Sequence, residues 1–381
     1  MTKTEFISKF ESKARPLLLG LPHQYAVSFY SNQKKKFIAR FANDYQNIKP
    51  QSLNNIQNDI SHRKVKKLWD INFGFPLFNA AGMFKKGEGY YTVAMQGAGA
   101  WLAGTTTGLA RSGNFKSGIL HPFAPLPSSK SSVNWMGLPN EGHNVVANRI
   151  SHLQKMPNCP IGVSLSSDTA IKESEALKLL VNGLKMYERS GADFAEINES
   201  CPNTGEERSS LNSIDPQLAN RLEYIRDNFL QKRQKNFPLI VKLSVDTDSK
   251  LVPSLINLLI EMGFDGVNFG NTSTEYSNIL EQISAKEKGL FEYFTSEFGG
   301  GVSGQPLKKN SLELVKIASE HLKNKNLNKE FHIVRTGGIA NSEDLSESLK
   351  SGASLCGWYT GYFSQFSLHG HELYRNMNYS E

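Results

Sequence analysis

Apolar residues along this chain recur in eight short runs separated by longer amphipathic stretches. The runs have the length and continuous apolar character of buried strands and cover residues 76–82, 100–106, 160–165, 194–198, 239–243, 266–271, 332–337 and 354–360. Helical spacing of apolar positions lies between most of them, for example at 174–190, 216–233, 251–262, 311–323 and 342–351. This alternation predicts an α/β protein with a (β/α)8 TIM barrel over residues 71–381. A doubly wound open sheet is the alternative, but no G-x-G-x-x-G follows the first strand.

Residues 1–70 have the pattern of a helical extension. Phe6, Ile7, Phe10 and Ala14 share one helical face, and Pro16 is expected to break that helix. A second helical stretch at 22–41 has apolar residues along one side, namely Ala26, Phe29, Tyr30, Phe37, Ile38 and Phe41. Such a helix pair either lies on an anionic membrane surface or caps the barrel, and the pattern alone leaves both open.

The excess positive charge of the chain lies in this extension. Residues 1–70 contain thirteen Lys/Arg and five Asp/Glu, a net charge of +8, whereas the other 311 residues contain 30 bases and 31 acids. Lys34, Lys35, Lys36 and Arg40 supply the charge of the second helix. Because the barrel is nearly neutral, no nucleic-acid partner is expected.

Composition argues against several classes of protein. No apolar run approaches the ~20 residues of a membrane-spanning helix, and no signal peptide opens the chain. Cys159, Cys201 and Cys356 are far apart, which argues against a disulfide framework or an intrinsic iron–sulfur cluster and predicts a reducing compartment. The histidines show no metal-ligand spacing such as H-E-x-x-H, so no catalytic metal is expected.

Candidate binding residues follow the predicted strands, where a barrel builds its active site. Small, hydroxyl, amide and lysine side chains stand at these strand ends, namely Ala81, Gly82, Lys85, Thr105, Lys242, Asn271 and Thr272. Glycine-rich segments at 336–338 and 359–361 follow the last two strands, where backbone N–H groups commonly hold a phosphate. Lys242 either faces a flavin ring or extends to solvent. Together these features predict a phosphorylated flat cofactor.

The segment Asn198-Glu-Ser-Cys201-Pro-Asn203 carries the most informative chemistry. It follows a predicted strand and places a thiol between two carboxamides. A thiol can remove a proton from a carbon acid, and carboxamides can bind the donor and acceptor edge of an imide-like ring. A loop with a buried cysteine and two turn-forming asparagines is the alternative for this segment taken alone.

In this order the motifs resemble the dihydroorotate dehydrogenase family, flavin enzymes of pyrimidine biosynthesis on a (β/α)8 barrel. The resemblance runs from 73 to 377 and is most specific at 134–140, 198–203, 270–272 and 301–307. It implies FMN contacts from Ala81, Gly82, Thr105, Ser164, Asn198, Lys242, Gly304, Gly337, Gly338, Tyr359 and Thr360. It implies contacts to dihydroorotate from Lys85, Asn134, Met136, Gly137, Leu138, Asn198, Asn203, Asn271 and Thr272. Cys201 stands where the family keeps its catalytic base, which removes the C5 proton of dihydroorotate as hydride leaves C6.

Two branches of the family share features with this chain. Cys201 and the Met-Gly-Leu-Pro-Asn loop resemble the soluble branches, whereas the helical extension and the placement of Lys85 resemble the membrane-associated, quinone-linked branch. A quinone acceptor and a peripheral location on the cytoplasmic side of a membrane are therefore expected, with fumarate and a cytoplasmic location as alternatives. Trp135, Glu199 and Arg335 depart from the family pattern, and Glu199 and Trp135 leave open another dihydropyrimidine or a cyclic enone as substrate. A flavin-binding or membrane-docking protein that keeps the barrel without turnover is the other alternative.

Overall fold

The computed structural model describes residues 1–18, 20–45, 65–199, 214–323 and 325–380, without the side chains of 14–18. The chain begins with two helices, α1 (Lys3–Leu18) and α2 (His23–Asn43). The break predicted at Pro16 is wrong, because α1 continues for two residues beyond it. Proline removes a single backbone donor, and here that loss falls in the final turn of the helix.

Fifteen strands and ten further helices are assigned in the described part of the barrel. The strands are β1 (Lys66–Leu68), β2 (Ile71–Phe73), β3 (Leu77–Asn79), β4 (Trp101–Thr106), β5 (Phe115–Lys116), β6 (Ile119–Leu120), β7 (Phe123–Leu126), β8 (Ser131–Asn134), β9 (Ile161–Leu165), β10 (Phe194–Asn198), β11 (Leu239–Leu243), β12 (Gly266–Phe269), β13 (Gly301–Gly304), β14 (His332–Thr336) and β15 (Leu355–Trp358). The helices are α3 (Tyr90–Met95), α4 (His143–Ser151), α5 (Glu173–Ser190), α6 (Pro216–Asn228), α7 (Val252–Glu261), α8 (Tyr276–Leu280), α9 (Lys288–Glu297), α10 (Lys308–Lys323), α11 (Ser342–Lys350) and α12 (Thr360–His369).

Eight parallel strands form the central sheet, and each coincides with one of the eight apolar runs. Their spatial order is β3-β15-β14-β12-β11-β10-β9-β4. The first and last strands meet through the side chain of Asn79, whose Nδ2 donates to the Leu102 carbonyl at 2.8 Å while its Oδ1 accepts from the Leu102 N–H at 3.1 Å. The predicted (β/α)8 barrel with N-terminal helices is thereby confirmed, and the open-sheet alternative is wrong.

The barrel interior is apolar at one end and polar at the other. Along β10, Ala195 and Ile197 face the surrounding helices, whereas Phe194, Glu196 and Asn198 face inward, as the alternation of a strand requires. Phe194 belongs to an apolar cluster near the N-terminal ends of the strands. The next interior layer is polar and contains Ser164, Glu196, Lys242 and Asn268, all nearly inaccessible to solvent. This polar layer lies beneath the candidate site.

A small antiparallel sheet and the N-terminal helices extend the barrel. Strands β7, β8 and β13 pair antiparallel, and the glycine-rich segment at 299–304 therefore contributes a strand. One end of α2 packs through Ala26 and Tyr30 into the apolar cluster of this sheet. The other end packs Phe37 and Phe41 into the main core. Helix α2 is thus bound to the barrel along its length.

Candidate functional site

A pocket lies at the C-terminal ends of the barrel strands. Sixteen of the residues predicted to bind cofactor or substrate line it, namely Ala81, Gly82, Lys85, Thr105, Asn134, Met136, Leu138, Asn198, Lys242, Asn271, Thr272, Gly304, Gly337, Gly338, Tyr359 and Thr360. Ser164 and Gly137 are not among the lining residues, and Cys201 and Asn203 lie outside the described residues. The structure therefore brings together residues from across the barrel, while their individual roles stay predictions.

A chain of hydrogen bonds runs from the pocket into the polar layer. Asn271 Nδ2 donates to Asn198 Oδ1 at 3.3 Å, and Asn198 Nδ2 donates to Thr105 Oγ1 at 3.0 Å. The hydroxyls of Thr105 and Ser164 are 3.0 Å apart, and Ser164 donates to Glu196 Oε1 at 3.0 Å. Ser164 thus lies behind the lining and supports Thr105.

Lys242 and Glu196 form a buried ion pair in this layer. Lys242 Nζ is 3.8 Å from Glu196 Oε1, and the two side chains are 3% and 1% exposed. Asn268 Nδ2 donates to the other carboxylate oxygen at 2.7 Å. Lys242 therefore faces the pocket and does not extend to solvent. Glu196 was absent from the sequence prediction, although a charged residue within an apolar strand was a signal for it.

The pocket has the backbone features of an anion site at one end. Helix α12 begins there at Thr360, and its N-cap residue Tyr359 makes no capping hydrogen bond through its side chain. Gly338 adopts a φ of +76°, and a Cβ atom at that position would lie 2.4 Å from the Cα of Lys308. Uncapped helix N-termini and glycine turns bind phosphate through their N–H groups. The donors at this end therefore fit the phosphate of a flavin nucleotide.

The loop at 134–140, beside the pocket, is held by a hydrogen bond to the carbonyl oxygen of Gly137. That oxygen accepts a hydrogen bond from Arg111 Nε at 3.3 Å, and Arg111 Nη1 forms an ion pair of 2.6 Å with the buried Asp168. The neighbouring Met136 and Leu138 line the pocket. Sequence reasoning missed both Arg111 and Asp168, since nothing local links two residues so far apart in the chain.

The three departures from the family pattern do not line the pocket. The ring centroid of Trp135 lies 6.4 Å from that of Phe298, and the two rings pack in the same apolar cluster. Glu199 forms an ion pair of 2.9 Å with Arg221. Arg335 is fully buried and extends towards α10 and α11, where it donates to the hydroxyls of Ser311 and Ser348 and to the Lys308 carbonyl.

A second cavity of about 570 Å³ lies between the N-terminal helices and the barrel. Its walls are largely apolar and include Phe10, Phe29, Tyr30, Phe37, Phe123, Pro125, Phe363 and Leu368. Thr360 and Gly361 line both this cavity and the pocket. The hydroxyls of Ser132, Ser303 and Thr360 lie within 3.2 Å of one another at this common wall. The two spaces are therefore adjacent.

Lys34, one of the residues that supply the positive charge of α2, lines the cavity. Its Nζ lies 4.3 Å from the ring centroid of Phe123, 5.1 Å from that of Tyr359 and 3.8 Å from Met136 Sδ. Burial lowers the pKa of Lys34 well below its ordinary value, and the charge of Lys85 lowers it further. Successive residues of a helix are about 100° apart around its axis. Lys35 and Lys36 are exposed, and Lys34 is the one of the three that lines the cavity.

The chain matches the family model described as dihydroorotate dehydrogenase over residues 64–375. It is 29% identical to a dihydroorotate dehydrogenase (quinone) of Synechococcus sp. (strain JA-2-3B'a(2-13)), over 79% of this chain and 75% of the relative. It is 27% identical to the Marinomonas sp. (strain MWYL1) enzyme of that name, over 84% of this chain and 85% of the relative. DHODH from Eimeria tenella in complex with ferulenol has a similar fold, with a TM-score of 0.70 and 21% identity over 91% of this chain and 88% of that one. Since the family model covers most of its length, this chain belongs to the dihydroorotate dehydrogenase family.

Proposed function

We propose that this protein oxidises dihydroorotate to orotate with bound FMN and passes the electrons to a quinone. The observation that carries the proposal is the convergence of the predicted cofactor and substrate residues on one pocket beside a large apolar cavity. Family membership supports the reaction, and the relatives named as quinone enzymes support the acceptor.

The FMN site would be formed by the strand ends and by the start of α12. Gly337, Gly338 and the first N–H groups of α12 would hold the phosphate, because that end of the pocket has uncapped backbone donors. Lys242 would stabilise negative charge on the reduced ring. When bound, FMN supplies a two-electron acceptor for the substrate.

The substrate would be held by one cation and several carboxamides. Lys85 lines the pocket and would pair with the carboxylate of dihydroorotate. Asn134, Asn198 and Asn271 would bind the amide edge of the ring, since carboxamides offer both donors and acceptors. The positions of Trp135, Glu199 and Arg335 outside the lining favour dihydroorotate over another cyclic substrate.

Cys201 would act as the base that removes the C5 proton. It follows Asn198 by three residues, and Asn198 lines the pocket. The other two cysteines are buried, and burial raises the pKa of the Cys356 thiol to about 11, which makes it a poor base near neutral pH. A free thiol has a pKa of about 8.5, so oxidation should accelerate towards alkaline pH.

The acceptor site would be the apolar cavity beneath the N-terminal helices. Its volume of about 570 Å³ suits a small aromatic ring with part of an apolar tail. Lys34 supplies a hydrogen-bond donor for a quinone oxygen near the wall shared with the FMN site. Cys201 favours fumarate as the competing acceptor, but fumarate is a dianion and is poorly suited to an apolar cavity.

Helix α1 would attach the enzyme to a membrane surface as a peripheral protein on the cytoplasmic side. Phe6 and Phe10 are 59% and 68% exposed, and Lys9 and Lys13 are exposed on the same helix. Each lysine near an anionic surface contributes roughly 1 kcal/mol, and exposed aromatic rings add apolar burial. Among the described residues, no helix is both long and apolar enough to span a bilayer.

The first experiment is anaerobic addition of dihydroorotate to the purified protein. We expect a yellow protein that releases FMN on denaturation and whose flavin band bleaches with dihydroorotate. A Cys201→Ala variant should keep FMN but bleach about a hundredfold or more slowly, and Cys201→Ser should regain part of the rate at high pH. Cys159→Ala, which removes a buried thiol elsewhere, is the matched control. Colourless protein that cannot be reconstituted, or an unchanged rate in Cys201→Ala, would contradict the assignment.

The acceptor is tested by filling the cavity. Ser364 lines the cavity, and a Ser364→Trp variant should slow reoxidation by a short-chain ubiquinone while leaving bleaching by dihydroorotate intact. Ser296→Trp places the same side chain on α9, outside the cavity lining, and should behave as wild type. Turnover with fumarate but not with quinones would instead assign a soluble fumarate-linked enzyme.

A further inference from the structure

Glu196 is the one acidic side chain in the polar layer formed by Ser164, Glu196, Lys242 and Asn268. Its side chain is 1% exposed, and it lies in the middle of β10, two residues before Asn198. It does not line the pocket, so it would not touch a bound cofactor directly. A buried carboxylate is costly unless donors compensate it, which makes its surroundings informative.

Three donors from three other strands converge on this carboxylate. Ser164 donates to Oε1 at 3.0 Å, Asn268 Nδ2 donates to Oε2 at 2.7 Å, and Lys242 Nζ lies 3.8 Å from Oε1. An ionised carboxylate only accepts hydrogen bonds, and each of these neighbours can donate one. The geometry therefore suits a negatively charged Glu196.

The negative charge of Glu196 partly offsets the positive charge of Lys242 at the floor of the pocket. Lys242 lines the pocket and Glu196 does not, so the pair presents its positive end towards the cofactor position and its negative charge behind it, within the same polar layer. In a layer without solvent, both charges act on the pocket with little screening. The net effect of Lys242 is thus weaker than that of an isolated buried ammonium.

We propose that Glu196 is a positioning residue that lowers the reduction potential of the bound flavin by balancing Lys242. This inference rests on the proposed FMN site. A reduced flavin gains negative charge, which Lys242 favours and Glu196 disfavours. A lower potential makes the reduced flavin a stronger donor to the acceptor in the adjacent cavity.

The test is the midpoint potential of bound FMN in wild type and in Glu196→Gln, measured by equilibration with redox dyes. Glutamine keeps the shape and removes the charge, so the ratio of affinities for reduced and oxidised FMN should rise about tenfold or more. For a two-electron couple this corresponds to a shift of about +30 mV or more. Glu188→Gln is the matched control, because Glu188 is also buried but lies on α5 and accepts from the N–H groups of Gln234 and Lys235. That variant should keep the wild-type potential.

A second pair of variants covers the case in which Glu196→Gln does not retain FMN. Glu196→Asp and Glu196→Asn have the same shape as each other and differ only in charge, and the Asn variant should have the higher potential. Equal potentials within either pair, or a lower potential in the neutral variant, would overturn the role of Glu196. A wild-type protein that binds no FMN would instead overturn the proposed function.

Discussion

Replacing Phe41 by alanine should loosen the N-terminal helices from the barrel. Phe41 is 0% exposed, and its ring centroid lies 5.5–6.0 Å from those of five other rings, Phe37, Phe84, Tyr362, Phe366 and His371. Removing a buried phenyl ring costs about 3–5 kcal/mol, and these rigid neighbours from several elements leave little room for the site to collapse. If α2 opens locally, amide exchange in that helix should accelerate by about a hundred- to several-thousandfold, at 1.4 kcal/mol per tenfold.

Native-state hydrogen exchange followed by mass spectrometry measures this effect segment by segment. Phe10→Ala is the matched control, because Phe10 is 68% exposed and its removal should change stability by no more than about 0.5 kcal/mol. Equal exchange rates of α2 in the two variants would contradict this prediction. Residues 1–45 would then behave as an independent attachment, and burial of Phe41 would contribute little to holding them on the barrel.

Three further predictions concern pH, the acceptor and the cofactor. Burial lowers the pKa of His143 to about 3, whereas an unfolded histidine has a pKa of about 6.5. Below pH 6.5 the unfolded state therefore binds one more proton than the folded state, and the free energy of unfolding should fall by up to about 1.4 kcal/mol per pH unit. Urea titrations at several pH values should find a smaller slope in His143→Leu. Lys34→Met should raise the KM for a short-chain ubiquinone more than the KM for dihydroorotate, and equal changes in both would exclude a specific role at the acceptor. Arg335→Lys should weaken FMN binding about tenfold, as measured by equilibrium dialysis. The reason is that Arg335 donates to Ser311, whose hydroxyl in turn donates to the Gly337 carbonyl at 2.9 Å. Unchanged affinity would mean that the glycine turn holds its shape without Arg335.

The barrel was predictable because its strands are buried on both faces. Such strands are continuous apolar runs, and each of the eight runs coincides with a strand of the central sheet. The antiparallel sheet of β7, β8 and β13 was not predicted, because its short strands contain proline, serine and glycine and have no strong alternation. β13 also lies far along the chain from β7 and β8, so its pairing with β8 is decided by the tertiary fold.

Site residues at the ends of predicted strands could be predicted from the sequence. Site residues on other elements, such as the N-terminal helix α2, could not. Asn198, Lys242 and Asn271 stand at strand ends and line the pocket. Lys34 resembled its two lysine neighbours in the sequence, and only the docking of α2 on the barrel directs it into the cavity. The charge of Glu196 within an apolar strand was a signal in the sequence, but its role was not predictable because its partners lie on three other strands.

The large cavity is lined by residues outside the family match as well as by residues within it. Its outer side is built from α1 and α2, which precede residue 64, where the match to the family model begins. Its inner side, around Thr360 and Gly361, lies within that match. A compound that fills the outer half would therefore contact residues outside the family match, and a compound confined to the pocket would contact residues within it. Selective inhibitors of this protein should accordingly be sought beneath the N-terminal helices.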